Sequence, residues 1–371
     1  MTFSLILIIM CCGYASFLLW CKKGWMKIKK HKADNINFPF ISVVVAIRNE
    51  EQYIEELLKC LIGQNYPSRT FEIIIVDDHS NDRSYNLVEH FISNQHDTNI
   101  KIIHARGEGK KSAIDQAIKE SKGDLILTTD ADCRMGEEWM IAMSHPLFDE
   151  KISFVAGPIV LKGRSSIFAL LQKFEMLGLI GIAGGAMSQR KPMMCNGANL
   201  CYRKSMYKEI EGFAGTKFAS GDDTQLMRKL SHLKPNSLCF VKEPSAIVFT
   251  KPQISLSDFW FQRRRWSSKI PFTLSFLTVF VAALAWFVHV GLLIHLIGLL
   301  FYPQLFLLFL TALIIKISAE LIFIRRIGLD LKVESSFILV VIAQPIYWLY
   351  ISVIGAIVPI ANYKWKGRKV K

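Results

Sequence analysis

Residues 125–132 read Leu-Ile-Leu-Thr-Thr-Asp-Ala-Asp. An apolar, β-branched run stops at two carboxylates separated by one residue. The pattern recurs upstream. Ile41–Ile47 runs into Arg48-Asn49-Glu50, and Glu72–Val76 runs into Asp77-Asp78-His79-Ser80. Ile100–His104 is a further strand candidate. A helical pattern follows each run, over Glu51–Gly63, Ser84–Ser93, Lys110–Ser121 and Glu137–Ser144. Strands that alternate with helices predict an α/β fold with a mostly parallel, Rossmann-like sheet covered on both faces. Ligands of such sheets bind at the carboxyl ends of the strands, which is where these acidic clusters fall.

Beyond residue 150 the alternation fades. Ile152–Ile159 and Ile247–Thr250 read as strands, and Ser166–Met187 reads as an amphipathic helix interrupted by Lys173 and Glu175. Its apolar stripe suits packing on the domain or contact with a membrane surface.

The chain has 371 residues, 51% of them apolar and only 20% charged, which excludes a disordered chain and favours a membrane protein. Three segments contain no Asp, Glu, Lys or Arg: Phe3–Trp20, Ile270–Ile315 and Ser335–Tyr363. About 20 apolar residues span a bilayer as a helix. The first segment is one span. The second is two, turning at Tyr302-Pro303-Gln304, and the third is one long span or an element bent at Pro345. The formal charge of +14 first suggests a nucleic-acid partner. Residues 22–34, 316–334 and 364–371 carry +11 of it, so the basic excess flanks apolar segments. Anionic lipid headgroups and the positive-inside rule explain that distribution, and no nucleic acid is expected.

Basic residues follow Phe3–Trp20 and none precedes it, the reverse of a secretory signal. It reads as an uncleaved anchor with residues 22–269 in the cytoplasm. The eight Cys form no C-x-x-C pair and no disulfide framework.

The acidic clusters admit definite chemistry. Asp130 and Asp132 are hard oxygen ligands suited to Mg²⁺ or Mn²⁺, although a capped helix start also explains Asp132. Asp77 and Asp78 can accept hydrogen bonds from a nucleobase or ribose, or simply cap a turn. Lys110 and Lys111 at a helix start suit a diphosphate, or a solvated face. In Gly221-Asp222-Asp223 a carboxylate can act as general base, though acids are also ordinary at a helix start. Gln262-Arg263-Arg264-Arg265-Trp266 has the composition of an interfacial belt. It also offers Arg for a diphosphate and Trp for a sugar ring.

The set resembles the family 2 inverting glycosyltransferases, which join a GT-A domain to membrane helices. That superfamily includes cellulose, chitin, hyaluronan and poly-N-acetylglucosamine synthases and ceramide glucosyltransferases. Val44–Glu50 looks like the opening strand, with Ala46 where Pro is usual, and Val76–Ser80 looks like the nucleotide-binding turn. Gly109-Lys110 with Ala113-Ile114 matches a further stretch, with Asp115 in place of Asn. Asp130-Ala131-Asp132, Gly221-Asp222-Asp223 and Gln262–Trp266 complete the order.

The resemblance implies a nucleotide sugar held by Glu50, Asp77, Asp78, Lys110 and Asp130. It implies a metal on Asp132 with Asp130, and Asp223 as base beside Asp222. Gln262, Arg265 and Trp266 would contact diphosphate and acceptor. The implied acceptor is a membrane lipid, a lipid-linked oligosaccharide, or a glycan exported with partner proteins. The expected plan is an anchor (1–21), a basic linker (22–37), a GT-A domain (38–253) and an interfacial helix (254–269). A transmembrane region (270–363) and a basic tail (364–371) follow. With four spans the tail would end outside, against the positive-inside rule, whereas a re-entrant course bent at Pro345 keeps it inside. Lys316 and Glu320, one turn apart in a predicted span, are expected to pair. A transporter subunit with a nucleotide domain and an inactive scaffold are the competing classes.

Overall fold

The computed structural model describes residues 1–29, 38–95, 98–163, 166–214, 222–267, 275–333, 337–357, 363–365 and 368–370. The chain divides into two compact units. One comprises residues 28–163 and 190–251. The other comprises residues 1–27, 164–189 and 252–370.

The first unit is built on ten strands: β1 (Ile41–Ile47), β2 (Phe71–Asp77), β3 (Ile100–His104), β4 (Leu125–Thr128), β5 (Arg134–Met135), β6 (Phe154–Ala156), β7 (Ile159–Leu161), β8 (Leu200–Arg203), β9 (Leu238–Phe240) and β10 (Val248–Thr250). Seven form one sheet in the order β3-β2-β1-β4-β8-β6-β9. β3, β2, β1 and β4 run parallel, and β8 is antiparallel to both its neighbours. The sheet is mixed and mostly parallel, as expected. β2 is buried along its whole length and β1 along nearly all of it. Burial on both faces explains why these strands read as unbroken apolar runs rather than as an alternation.

Ile54–Ile62, Ser84–Ser93, Lys110–Glu120 and Trp139–Ser144 are helical, matching the four predicted helices to within a few residues at their ends. The single strand expected over Ile152–Ile159 is two. Gly157-Pro158 breaks it, sending β6 into the large sheet and β7 into a small sheet of order β5-β10-β7. A Cβ at Gly157 would lie 2.4 Å from the Asn199 amide, so the glycine admits that side chain. The Asn199 amide donates to Pro158 O and Ala246 O, and its oxygen accepts from Trp139 Nε1 at 3.0 Å. One buried amide thereby joins the two sheets.

The second unit is helical. Thr2–Lys27, Ile167–Ser188, Phe276–Gly298 and the segment Pro303–Leu331 are long and apolar enough to cross a membrane. The turn predicted at Tyr302–Gln304 is a 3-10 helix over Pro303–Leu305. Ile167–Ser188 departs from the sequence reading. It belongs with the apolar helices rather than inside a continuous 38–253 domain, and it is apolar nearly all round. Backbone approach explains its place. A Cβ on Gly24 would lie 2.0 Å from Gly185 O, and one on Gly185 would lie 2.2 Å from Cys21 O. Small residues let the two helices touch at the main chain.

Phe276–Gly298 packs antiparallel to Thr2–Lys27, with Leu7 at Gly291 and Leu284 at Gly13. Phe306–Leu331 packs parallel to it, with Tyr14 at Glu320 and Trp25 at Asp330. The expected Lys316–Glu320 pair forms, at 2.9 Å to Oε2, and lies buried. Ser335–Tyr363 is not one long helix. Phe337–Ile342 and Gln344–Ile357 are separated at Ala343, next to the predicted bend.

Candidate active site

The parallel strands place their carboxyl ends along one edge. After β1, Arg48 turns back to donate to Asp78 O at 2.6 Å and His79 O at 3.1 Å. Asn49 and His79 both have positive φ, near 54°, so each strand turns sharply where it leaves the sheet. Asn49 N donates to Ser80 Oγ, and Glu50 N donates to Ser84 Oγ at 2.7 Å. Asp77 accepts from Ser80 N at 3.2 Å, closing the turn that follows β2. The Glu50, Asp77 and Asp78 segment is thus one cross-linked loop pair.

Gly109 joins this loop to the next element. Its φ of +91°, favourable only for glycine, aims its N–H at Asp78 Oδ1, 3.0 Å away. Lys110 opens the following helix, and its ammonium forms an ion pair with Asp130 Oδ1. Asp78, Lys110 and Asp130, from three crossovers of the chain, therefore meet at the sheet edge.

Asp132 is set by the small sheet. β5 follows it directly and pairs with β10, which brings Thr250 Oγ1 to 3.0 Å from Asp132 Oδ2 as a donor. Arg134 braces the same turn, donating to Cys133 O at 2.6 Å and to Glu56 Oε2 at 2.6 Å. The Arg134 hydrogen bond and charge hold the Glu56 carboxyl below its ordinary range. Burial, followed by the charges of Asp132 and Asp130, pushes the Cys133 thiol well above its ordinary value. Cys133 is a packing residue under the acidic turn and no nucleophile.

Asp223 reaches this edge through a loop. Thr128 Oγ1, at the end of β4, donates to Gly197 O at 2.8 Å, and Gly197 N donates to Asp223 Oδ2 at 2.8 Å. Asp223 Oδ1 accepts from Thr224 N. Asp223 is therefore two hydrogen bonds from the strand that ends in Asp130. Gly221 and the Asp222 side chain lie outside the described residues.

The residues with Gln262 belong to the helical unit. Leu256–Ser267 is a helix, and Arg263 is its hub. Arg263 donates to Glu175 Oε2 through Nε (2.9 Å) and Nη2 (2.5 Å), and through Nη1 to Gln262 Oε1 (2.6 Å). Its guanidinium lies 4.5 Å from the Phe259 ring centroid and 4.2 Å from that of Trp266. Sequence reasoning singled out Gln262, Arg265 and Trp266 and passed over Arg263, Glu175, Thr250, Gly197 and Arg134. Two signals pointed to some of them: the Asn196-Gly197 turn pair, and a carboxylate placed inside an otherwise apolar helix.

A divalent cation can be tested against these donors. Among the described residues no three His, Cys, Asp or Glu side chains converge on one point. Asp130 and Asp132 do not make an all-protein cage. They fit a Mg²⁺ or Mn²⁺ ion that completes its sphere with phosphate oxygens and water.

Residues 42–211 match the model of Glycosyl transferase family 2. This segment is a family 2 glycosyltransferase domain. It contains Glu50, Asp77, Asp78, Lys110, Asp130 and Asp132, and it stops before Asp223 and Gln262. The chain is 29% identical over 247 residues to the probable glycosyltransferase YdaM of Bacillus subtilis, covering 65% of this chain and 57% of that one. It is 24% identical over 248 residues to a poly-beta-1,6-N-acetyl-D-glucosamine synthase of Staphylococcus epidermidis, covering 66% and 58%. The chain thus spans somewhat over half the length of these curated relatives. Among solved structures, the mannosyltransferase PcManGT of Pyrobaculum calidifontis, in complex with GDP-Man and Mn²⁺, superposes with a TM-score of 0.60. That match covers 97% of this chain and all of the other at 17% identity, and it shows a shared fold. The glycosyltransferase domain is therefore of the GT-A kind.

Proposed function

We propose that the protein is a membrane-bound inverting glycosyltransferase. It moves a sugar from a nucleotide sugar, UDP-linked in our reading, to a hydroxyl of a membrane lipid or growing glycan. The observation that carries this reading is that, beyond the carboxyl ends of the parallel strands, Lys110 pairs with Asp130, Asp78 accepts from Gly109 N–H, and Asp223 accepts from Gly197 N–H, whose carbonyl is held by Thr128. Glu50, Asp77 and Asp78 hold the nucleoside, and Lys110 turns from Asp130 toward the diphosphate. Asp130 and Asp132 would hold Mg²⁺ or Mn²⁺, which when bound would supply Lewis-acid stabilisation of charge on the departing nucleoside diphosphate. Asp223 takes the proton of the acceptor hydroxyl as that oxygen attacks the anomeric carbon in line, and the configuration inverts. Thr224 N–H and Gly197 N–H fix the carboxylate while leaving lone pairs on both oxygens for this proton.

The catalytic domain faces the cytoplasm in this reading. At one end of the Thr2–Lys27 helix Lys27 donates to Gln189, and Trp25 donates to Asp330, between Arg326 and Lys332. Two parallel helix ends thus carry Lys22, Lys23, Lys27, Arg325, Arg326 and Lys332, a basic belt that the positive-inside rule assigns to the cytoplasmic face.

The test offers membranes carrying the protein a panel of labelled UDP-glucose, UDP-N-acetylglucosamine and GDP-mannose. Products are separated into lipid-extractable material and high-mass polymer. Transfer that depends on Asp223 supports the reading. Transfer that survives Asp223→Asn, or its absence from every member of a panel spanning both nucleotides, overturns it. The relative that synthesises poly-beta-1,6-N-acetyl-D-glucosamine favours, as a second reading, a polymer built with export partners.

A further inference from the structure

We propose that Lys229 is a positioning residue, which with Tyr207 and Asp115 ties the helix carrying Asp223 to the helix opened by Lys110. This inference rests on the function proposed above, in which Asp223 is the base and Lys110 meets the diphosphate. Lys229 lies in the helix Asp222–Leu233, six residues beyond Asp223. Its ammonium donates to three main-chain carbonyls, Ile210 O at 3.2 Å, Gly212 O at 2.8 Å and Ala214 O at 2.7 Å. An ammonium has three N–H donors, so this set uses all of them. The carbonyls converge because Glu211 and Gly212 are consecutive left-handed residues, with φ of 54° and 49°, that curl the chain after the helix Lys204–Glu209.

The same turn is seated on Tyr207. A Cβ on Gly212 would lie 2.4 Å from Tyr207 Cζ, so glycine is what lets the turn rest on the phenol ring. The Tyr207 hydroxyl donates at 2.7 Å to Asp115 Oδ1, in the helix Lys110–Glu120. Burial, followed by that hydrogen bond, pushes the phenol far above its ordinary range, so it stays a donor. Asp115, which stands where the family resemblance has Asn, thereby acquires a partner. A continuous path runs from the helix of Asp223 through Lys229, the turn 210–214, Tyr207 and Asp115 to the helix that Lys110 opens. Gly197 N–H fixes the carboxylate at the front of the first helix, and Leu226, Met227 and Leu230 bury its apolar side. Lys229 sets the direction of the helix behind that point. A change of direction displaces Asp223 relative to Lys110, and misplacement of a reacting group by about 1 Å costs up to about 10²-fold in rate.

The test uses the full-length protein in lipid nanodiscs with Mn²⁺. The donors are UDP-glucose, UDP-N-acetylglucosamine and GDP-mannose, and UDP and GDP serve as calorimetric probes. Lys229→Met removes the charge and all three donors at nearly the same length. The expected result is a kcat lower by about 10- to 100-fold, with the donor KM and the affinity for UDP or GDP at wild-type values. Tyr207→Phe removes one hydroxyl and is expected to lower kcat a few-fold in the same manner. It is the deciding variant should Lys229→Met fail to fold. In an Asp223→Asn background neither substitution lowers the residual rate further, because both act through that carboxylate. Wild-type kcat in the deciding variant, a loss carried by KM or by nucleotide affinity, or a further loss added to Asp223→Asn overturns the positioning role. Those outcomes leave the transfer reading standing. That reading falls, and this inference with it, if Asp223→Asn keeps wild-type turnover or the wild type transfers from none of the three donors.

Discussion

At the residue scale the acidic edge divides labour between carboxylates. Asp223 is held by two backbone N–H groups, whereas Asp132 is held by one hydroxyl and Asp130 by one ammonium. Asp223→Asn is expected to lower kcat by a factor of about 10²–10⁴, the usual share of a general base, with nucleotide affinity nearly unchanged. Chelation of divalent ions is expected to abolish transfer, and added Mn²⁺ to restore it. Thr250→Val removes the donor that orients Asp132. It should raise the Mn²⁺ concentration for half-maximal activity by roughly tenfold, as loss of a partner behind a metal ligand does. An unchanged Mn²⁺ titration in that variant would show that Thr250 does not serve the ion. Asp130 and Asp132 stood out in the sequence because they follow the run 125–129, and Asp223 stood out only through its place in the family resemblance. Thr250 and Gly197 did not, because they meet Asp132 and Asp223 only after 118 and 26 residues of intervening chain are folded.

At the scale of elements, local pattern succeeded where a strand is buried on both faces and failed where charge is paired inside the protein. Lys173 and Glu175 made Ile167–Ser188 look amphipathic. In the fold Glu175 is an internal ion-pair partner, so its charge does not mark a solvent face. The apolar rows on all sides of that helix pack on Thr2–Lys27 and Phe306–Leu331, with Gly181 against Phe323 and Ile327. Gly185→Leu cannot be accommodated beside Cys21 O. It is expected to cost at least the roughly 1–3 kcal/mol of ordinary overpacking, read as a lower Tm and reduced yield in detergent. Gly178→Leu serves as the control, because a Cβ there has no neighbouring atom within 4 Å. Equal stability of the two variants would refute close packing at Gly185. The break at Gly157-Pro158 could be suspected from those two residues, but which strand joins which sheet depends on Asn199.

At the scale of the whole molecule the open question in the sequence was the side on which the basic tail lies. Gln344 meets the buried charges, accepting from Lys316 Nζ at 2.5 Å and donating to Glu320 Oε2 at 3.0 Å. The helix that begins there later packs Ser352 O on Trp286 Nε1, in the first half of Phe276–Gly298. If the element turns back at the level of Lys316, as the expected re-entrant course requires, Lys369 lies on the same side as Lys22, Lys23 and Lys27. Lys369→Cys is then expected to react with a membrane-impermeant maleimide only after permeabilisation, and labelling of intact cells would refute the bent course. Gln344→Leu should lower Tm by the equivalent of about 1–3 kcal/mol, because it strips partners from two buried charges. Charge bookkeeping along the sequence placed the basic excess beside the apolar segments. Pro345 signalled the bend, but the burial of Gln344 was not legible, since an amide in an apolar run carries no charge to signal it.

The pairing of Thr2–Lys27 with Phe306–Leu331 has a consequence for biogenesis. Tyr14 waits 306 residues for Glu320, and Trp25 waits 305 for Asp330. On a ribosome the first helix enters the bilayer long before its partners exist, while every strand of the mixed sheet has already been synthesised. The glycosyltransferase domain is therefore expected to acquire its fold first, tethered by a helix that has met Ile167–Ser188 but not yet its C-terminal neighbours. The helical unit closes only when the last third of the chain arrives. A nascent chain arrested near residue 300 should already resist protease over β1–β10, yet leave the faces of the first helix that meet Phe276–Gly298 and Phe306–Leu331 open to crosslinking with lipid.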